Sequence, residues 1–155
     1  MGLIDDLGTG PVGLDTAVFI YFVEEHAEFL PLVEPLFVGL DGGRWAAVTS
    51  GLTLLETLVV PYREGDTALV GRYEALLSRS RGLRLVDLDR PLLRAAAQLR
   101  AVLSVKTPDA IQLAAALGAR CTSFVTNDRD LPPVPGLRIL QLRDYRGPQR
   151  RPRQR

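Results

Sequence analysis

The feature that most constrains the fold is the alternation of short apolar runs with longer helix-like segments. Continuous apolar runs of a few residues are typical of strands buried on both faces, as in parallel sheets. Parallel strands require long crossover connections, which helices usually supply. The pattern therefore predicts an α/β fold, a three-layer α/β/α sandwich around a short-stranded, mostly parallel central sheet. The five predicted strands are residues 12–15, 45–50, 82–89, 122–128 and 137–142.

Helical periodicity and breaking residues set the elements between these strands. Thr107 is the predicted N-cap of the last helix, Pro108 its first residue and Gly118 its stop signal. Pro61 is expected to disrupt the helix that begins at Ser50. The other predicted helices are residues 16–24, 27–40, 66–80 and 90–103.

Length and composition predict an ordinary globular domain. The chain has 155 residues, of which 46% are hydrophobic and 24% charged, and this length suits a single domain with a real core. No apolar run approaches the roughly 20 residues of a membrane span, and no secretory signal pattern opens the chain. We therefore expect a cytoplasmic protein that does not associate with membranes.

The net charge of +1 hides a basic end. Residues 143–155 contain six Arg and one Asp, which leaves an acidic balance on the rest of the chain. Such an Arg- and Pro-rich segment predicts a disordered tail, so the domain is expected to span residues 1–142. The tail would either attract phosphates or simply aid solubility.

Cysteine and histidine usage excludes whole classes of chemistry. With only Cys121 and His26, the chain can form neither an intramolecular disulfide nor a Cys/His zinc cluster. Cys121 reads as a buried thiol and His26 as a surface loop residue. Any catalysis must therefore depend mainly on carboxylates, hydroxyls or a metal.

Four acids lie at the boundaries of predicted elements, where ligands bind in open parallel sheets. Each also has a purely structural explanation. Asp15 could cap a helix, Asp109 could favour a helix N-terminus, and Asp128 could belong to a turn. Glu56 lies in a narrow polar stripe on an otherwise apolar helix, which faces either water or a polar cavity.

Taken together, the four acids favour a metal site. Neighbouring carboxylates repel one another unless a cation is present, and Mg²⁺ or Mn²⁺ binds carboxylate oxygens, water and phosphate. Such an ion supports phosphodiester hydrolysis without His or Cys.

Four segments, in this order and at this spacing, resemble the PIN-domain nucleases, and most closely the VapC-like toxins of bacterial toxin–antitoxin pairs. The resemblance covers residues 11–142 and implies a Mg²⁺- or Mn²⁺-dependent ribonuclease acting on RNA. It also implies a homodimer and a small antitoxin whose C-terminal segment fills the acidic groove and blocks the site. The four segments are LDTAVFIYFVEEH, TSGLTLLETLV, KTPDAIQLAAAL and FVTNDRDL.

Carried over residue by residue, the resemblance gives the four acids catalytic and metal-binding roles. It gives supporting roles to nearby hydroxyl and amide side chains, whereas the extra acid Asp130 is expected to serve a turn. The acids are Asp15, Glu56, Asp109 and Asp128. The supporting residues are Thr16, Ser50 with its neighbour Thr49, Thr126 and Asn127.

Two other functions fit the pattern. The same fold could bind RNA or a partner through its groove and tail without catalysis. A phosphatase that uses Asp15 as its nucleophile is a weaker hypothesis, because the second acid expected two residues later is replaced by Ala17.

Overall fold

A five-stranded sheet in the order β3–β2–β1–β4–β5 forms the centre of the molecule. The computed structural model describes residues 2–147. All four strand pairings are parallel, so the predicted α/β fold with a mostly parallel sheet is confirmed. The strands are β1 (Val12–Leu14), β2 (Ala47–Ser50), β3 (Leu83–Val86), β4 (Ser123–Thr126) and β5 (Arg138–Gln141).

Helices connect the strands and cover the sheet. A four-residue helix at the N-terminus was not predicted, because it is too short to show a periodic pattern. The α-helices are α1 (Leu3–Asp6), α2 (Thr16–Val23), α3 (Leu30–Asp41), α4 (Gly51–Glu64), α5 (Thr67–Arg79), α6 (Arg90–Val102) and α7 (Thr107–Gly118).

Two local predictions were wrong. Pro61 does not disrupt α4, which continues to Glu64; its ring is buried, and the helix ends at Gly65, whose φ of 67° suits glycine. The N-cap of α7 is Lys106 rather than Thr107, which is the first helical residue and has no capping role.

Successive strand residues point to opposite faces of the sheet, and both faces are covered by helices. Val12, Leu14 and Val125 belong to a hydrophobic core shared with α2 and α3. Val48 and Phe124 belong to a second core on the other face, shared with α7. Two faces covered by helices make the three layers that the sequence predicts.

A short helical turn follows β5. Leu142–Tyr145 form a turn of 3-10 helix in which Leu142 is fully buried. The Tyr145 hydroxyl donates a hydrogen bond to Asp6 Oδ2 at 2.6 Å, which joins this turn to α1. Residues 148–155, the larger part of the predicted tail, lie outside the described residues.

No helix within residues 2–147 combines the length and the apolar character needed to cross a membrane.

The indole of Trp45 lies directly against the backbone of α3 at Gly39. Its Nε1 donates to the carbonyl oxygen of Leu36 at 3.0 Å. A Cβ atom at Gly39 would stand 2.0 Å from the indole, so only glycine allows this contact.

We therefore expect Gly39→Ala to lower the free energy of unfolding by about 1 to 3 kcal/mol, the usual cost of overpacking. Gly71→Ala is the matched control, because Gly71 is exposed in α5 and its Cβ would meet nothing within 4 Å. That change should stabilise the protein by about 1 kcal/mol through helix propensity. Urea denaturation of both variants measures these changes. Equal unfolding midpoints for Gly39→Ala and Gly71→Ala would contradict the packing argument.

Candidate active site

The candidate site lies at the carboxyl end of the sheet, beside β1. From β1 the chain builds outward through β2 and β3, and then returns to place β4 and β5 on the other side of β1. This is a topological switch point, the position at which open parallel sheets bind ligands. Asp15 directly follows β1, and Asp128 follows β4 after one intervening residue.

Asp15 is the N-cap of α2, as one of its alternative interpretations predicted. Its Oδ1 accepts a hydrogen bond from the backbone N–H of Thr16 at 2.9 Å, and its Oδ2 accepts one from the Thr126 hydroxyl at 2.7 Å. Burial raises the pKa of the Asp15 carboxyl above its ordinary value, although these two hydrogen bonds act in the opposite direction. Both carboxylate oxygens are therefore held in fixed positions.

Thr126 joins two of the predicted acids. Its hydroxyl donates to Asp15 and accepts from the backbone N–H of Asp128 at 3.0 Å. Asp128 Oδ1 accepts from the backbone N–H of Asp130 at 2.9 Å, which is a turn contact. Gln141 of β5 fixes the Asp128 backbone from outside, since its Nε2 donates to the Asp128 carbonyl at 2.7 Å.

Thr16 joins a third acid to the same group. Its hydroxyl donates to Glu56 Oε1 at 2.8 Å, while its backbone N–H donates to Asp15 Oδ1. Glu56 lies on the exposed face of α4, and one turn earlier on that helix Thr53 is fully buried. The polar stripe on α4 thus leads from the buried polar side chains around Thr53 to the surface.

Asp109, in the first turn of α7, completes the set through its electrostatics. Its pKa is raised to about 6, first by burial and then by the negative charges of Asp128, Asp15 and Glu56. Within residues 2–147, none of these four carboxylates has a Lys, Arg or His nitrogen within 4.0 Å. The structure therefore places all four predicted acids in one region of unneutralised negative charge.

The donor chemistry of this region fits a hard divalent cation. All the candidate ligands are carboxylate oxygens, and their mutual repulsion is what a bound cation would relieve. In the described part of the chain, no three Asp, Glu, His or Cys side chains are arranged to hold a metal ion as they stand. Mg²⁺ commonly uses only one or two carboxylates and keeps several waters, so the acids fit such an ion without a closed protein cage.

The predicted supporting residues divide into two groups. Thr16 and Thr126 contact the acids directly. Ser50 contacts none of them; it caps α4 by accepting from the Leu52 backbone N–H at 3.2 Å. Asn127 is buried and donates through Nδ2 to the Tyr21 hydroxyl at 3.2 Å. Ser50 and Asn127 thus hold the surrounding elements rather than the carboxylates.

Sequence reasoning missed Gln112, which lies at the centre of the polar network beneath the site. The residue is 3% exposed, and its amide forms hydrogen bonds with Ser50, Thr53 and Thr16. The one available signal was that Gln112 is the single polar side chain between Ala110 and Ala116. A buried amide in an apolar helix requires polar partners.

The chain matches the model of the PIN domain family over residues 12–137. It belongs to that family. No curated protein sequence matches it.

Solved structures with the same fold include toxins and their complexes. A toxin–antitoxin complex from Klebsiella pneumoniae has 20% sequence identity and a TM-score of 0.61, over 83% of this chain and 95% of that chain. VapBC2 from Rickettsia felis, bound to a DNA fragment from its promoter, has 16% identity and a TM-score of 0.62, over 84% and 98%. VapC20 from Mycobacterium tuberculosis, a toxin that cleaves the sarcin–ricin loop, has 15% identity and a TM-score of 0.62, over 78% and 92%.

We expect Asp109→Asn to stabilise the metal-free protein at pH 7. Because the folded-state pKa is raised from 3.8 to about 6, folding favours the protonated acid, and stability falls as the pH rises from about 4 to about 6. Allowing for solvent screening of this partly exposed group, the gain at pH 7 is about 1 kcal/mol.

Urea denaturation with a chelator at pH 4 and pH 7 measures this gain, which should vanish at pH 4. The control is Asp41→Asn, at an exposed acid that ends α3. Its difference in unfolding free energy from the starting protein should be the same at both pH values. A variant at Asp109 that is no more stable at pH 7 would contradict the clustered charges.

Proposed function

We propose that this protein is a metal-dependent endoribonuclease that hydrolyses RNA phosphodiesters with carboxylate-bound Mg²⁺ or Mn²⁺, and that it is the toxin of a toxin–antitoxin pair. The observation that carries the proposal is the group of four acids at the switch point of the sheet, with the pKa of Asp109 raised to about 6 by burial and by the negative charges of the other three acids. Membership of the PIN domain family and the fold shared with VapC toxins support it.

In this proposal, Asp15, Glu56, Asp109 and Asp128 bind the ion and are the catalytic residues. Thr16 and Thr126 keep Glu56 and Asp15 in position through hydroxyl donors at 2.8 and 2.7 Å. When bound, the ion would supply a water of lowered pKa and neutralise charge that builds on the phosphodiester. The protein would then need neither His26 nor Cys121 for catalysis.

The proposed partner is a small antitoxin whose C-terminal segment blocks the site in the cytoplasm, where the RNA substrate is found. One of the structures similar to this chain is a toxin–antitoxin complex, from Klebsiella pneumoniae. In addition, α4 carries exposed apolar side chains beside Glu56, including Leu55 at 60% and Val60 at 49% exposed. Exposed apolar area of this kind next to a site commonly marks a protein-binding surface.

We expect the purified protein to cleave single-stranded RNA only when Mg²⁺ or Mn²⁺ is added. Asp15→Asn and Asp109→Asn should each lower the cleavage rate by about 100-fold or more, because each removes a charge that the ion needs. The control is Asp41→Asn, at an exposed acid that ends α3, which should cleave at the unchanged rate. Gel analysis of a labelled RNA with and without chelator gives the rates.

Cleavage that survives either substitution would rule out the assigned site. Binding of RNA without any turnover would instead favour the second candidate, a non-catalytic RNA- or partner-binding module, which the exposed apolar face of α4 also suits.

We also propose that the protein is a homodimer. Light scattering on the purified protein should then give twice the 17.0 kDa mass of the chain. A mass of one chain at micromolar concentration would contradict the dimer.

A further inference from the structure

Gln112 has an unambiguous orientation in the network beneath the site. Its Oε1 accepts from the Ser50 hydroxyl at 2.7 Å and from the Ser50 backbone N–H at 3.3 Å. A backbone N–H can only donate, so the atom that faces Ser50 must be the amide oxygen. The amide nitrogen therefore faces the opposite side, toward α2 and α4.

That nitrogen uses both of its hydrogens. Gln112 Nε2 donates to Thr53 Oγ1 at 2.8 Å and to Thr16 Oγ1 at 3.1 Å. Each of the two hydroxyl oxygens thus already accepts one hydrogen bond from the amide. Their own hydrogens must point elsewhere.

The remaining contacts fix where those hydrogens point. Thr49 Oγ1 lies 2.7 Å from Thr53 Oγ1, and Thr53 Oγ1 lies 3.2 Å from Thr16 Oγ1. The only hydrogen of the Thr16 hydroxyl goes to Glu56 Oε1 at 2.8 Å, since an ionised carboxylate only accepts. Thr53 must then donate to Thr16, and Thr49 to Thr53, if every contact is to be a hydrogen bond.

The result is a chain of hydroxyl groups with one direction, from Thr49 through Thr53 and Thr16 to Glu56. A reversed amide would place N–H against the Ser50 N–H and an oxygen against Thr16. That oxygen would compete with Glu56 for the single Thr16 hydrogen. The orientation of Gln112 therefore decides which way the Thr16 hydroxyl points.

We propose that Gln112 is a positioning residue, which acts through Thr16 to hold the exposed Glu56 side chain in place and leaves Oε2 free for a cation. The inference rests on the proposed function, in which Glu56 is a ligand. The Thr16 hydroxyl is the one hydrogen-bond partner of the Glu56 carboxylate within residues 2–147. A long exposed side chain loses rotamer freedom when it is fixed, so this single directed contact matters for a preformed ligand.

The direct test is Gln112→Met, which keeps the length and the apolar packing but removes the amide. We expect a fall of about 10- to 100-fold in Mn²⁺ affinity, measured by calorimetry, and in kcat on RNA, as is typical when a residue that orients a metal ligand is lost. KM for RNA should stay nearly constant. Gln98→Met, on the exposed face of α6, is the matched control and should change neither quantity.

Conservative replacement separates positioning from packing. In Gln112→His, a neutral imidazole keeps one acceptor and one donor, and should restore the greater part of both the affinity and kcat. Thr16→Val removes the hydroxyl that donates to Glu56. It should lower Mn²⁺ affinity and kcat as much as Gln112→Met does. Adding Gln112→Met to Thr16→Val should cost little more, because residues that act through one contact are not additive.

An NMR measurement on the metal-free protein tests the inference apart from the proposed function. The Thr16 hydroxyl hydrogen should exchange slowly with water in the starting protein and in Gln98→Met, and rapidly in Gln112→Met. If the starting protein binds Mn²⁺ but cleaves no RNA, the proposed function fails, and the exchange and affinity measurements still decide the role of Gln112.

Two results would overturn the inference. One is a folded Gln112→Met variant with unchanged Mn²⁺ affinity and unchanged hydroxyl exchange. The other, which holds even if Gln112→Met does not fold, is a Thr16→Val variant that binds Mn²⁺ as tightly as the starting protein.

Discussion

The pairing of β1 with β4 is the interaction on which the candidate site depends. β1 has three residues, and Leu14 lies opposite Val125. The Asp15 backbone N–H then donates to the Val125 carbonyl at 3.0 Å, which brings the Thr126 hydroxyl within 2.7 Å of the Asp15 carboxylate. A shift of one residue in this register would turn Thr126 to the other face of the sheet, and Asp15 would lose its partner.

This register is set by packing and not by the site itself. Side chains on both faces of β4 are buried, with Phe124 in one core and Val125 in the other. At Gly13 of β1, a Cβ atom would stand 2.7 Å from the Phe124 ring, so glycine lets that ring lie against the strand. The hydrophobic cores therefore hold the repelling carboxylates together and offset the cost of their close approach.

The sequence predicted the sheet and the positions of the acids for the same physical reason. Short apolar runs that alternate with helical segments favour buried parallel strands, and the carboxyl ends of parallel strands lie at one edge of the sheet. Asp15 follows β1 directly and Asp128 follows β4 after one residue, so their placement needed no long-range information. Contacts between distant parts of the chain could not be predicted in this way. Gln112 and Thr16 are 96 residues apart, and no local pattern indicates that they form a hydrogen bond. The prediction that Pro61 disrupts α4 was wrong because it used local helix propensity alone. Burial of Pro61 and the position of Gly65 instead decide where α4 ends.

The contact between Tyr145 and Asp6 has a consequence for what counts as the folding unit. The family match ends at residue 137, before β5 begins, and starts after α1, whose Leu3 is 3% exposed. A protein trimmed to residues 12–137 would lack an edge strand and would uncover the apolar side chains that Leu3 and Leu142 now cover. The family match therefore leaves out part of the hydrophobic core, and Asp6 joins α1 to the far end of the domain through contacts with both Tyr145 and Arg138.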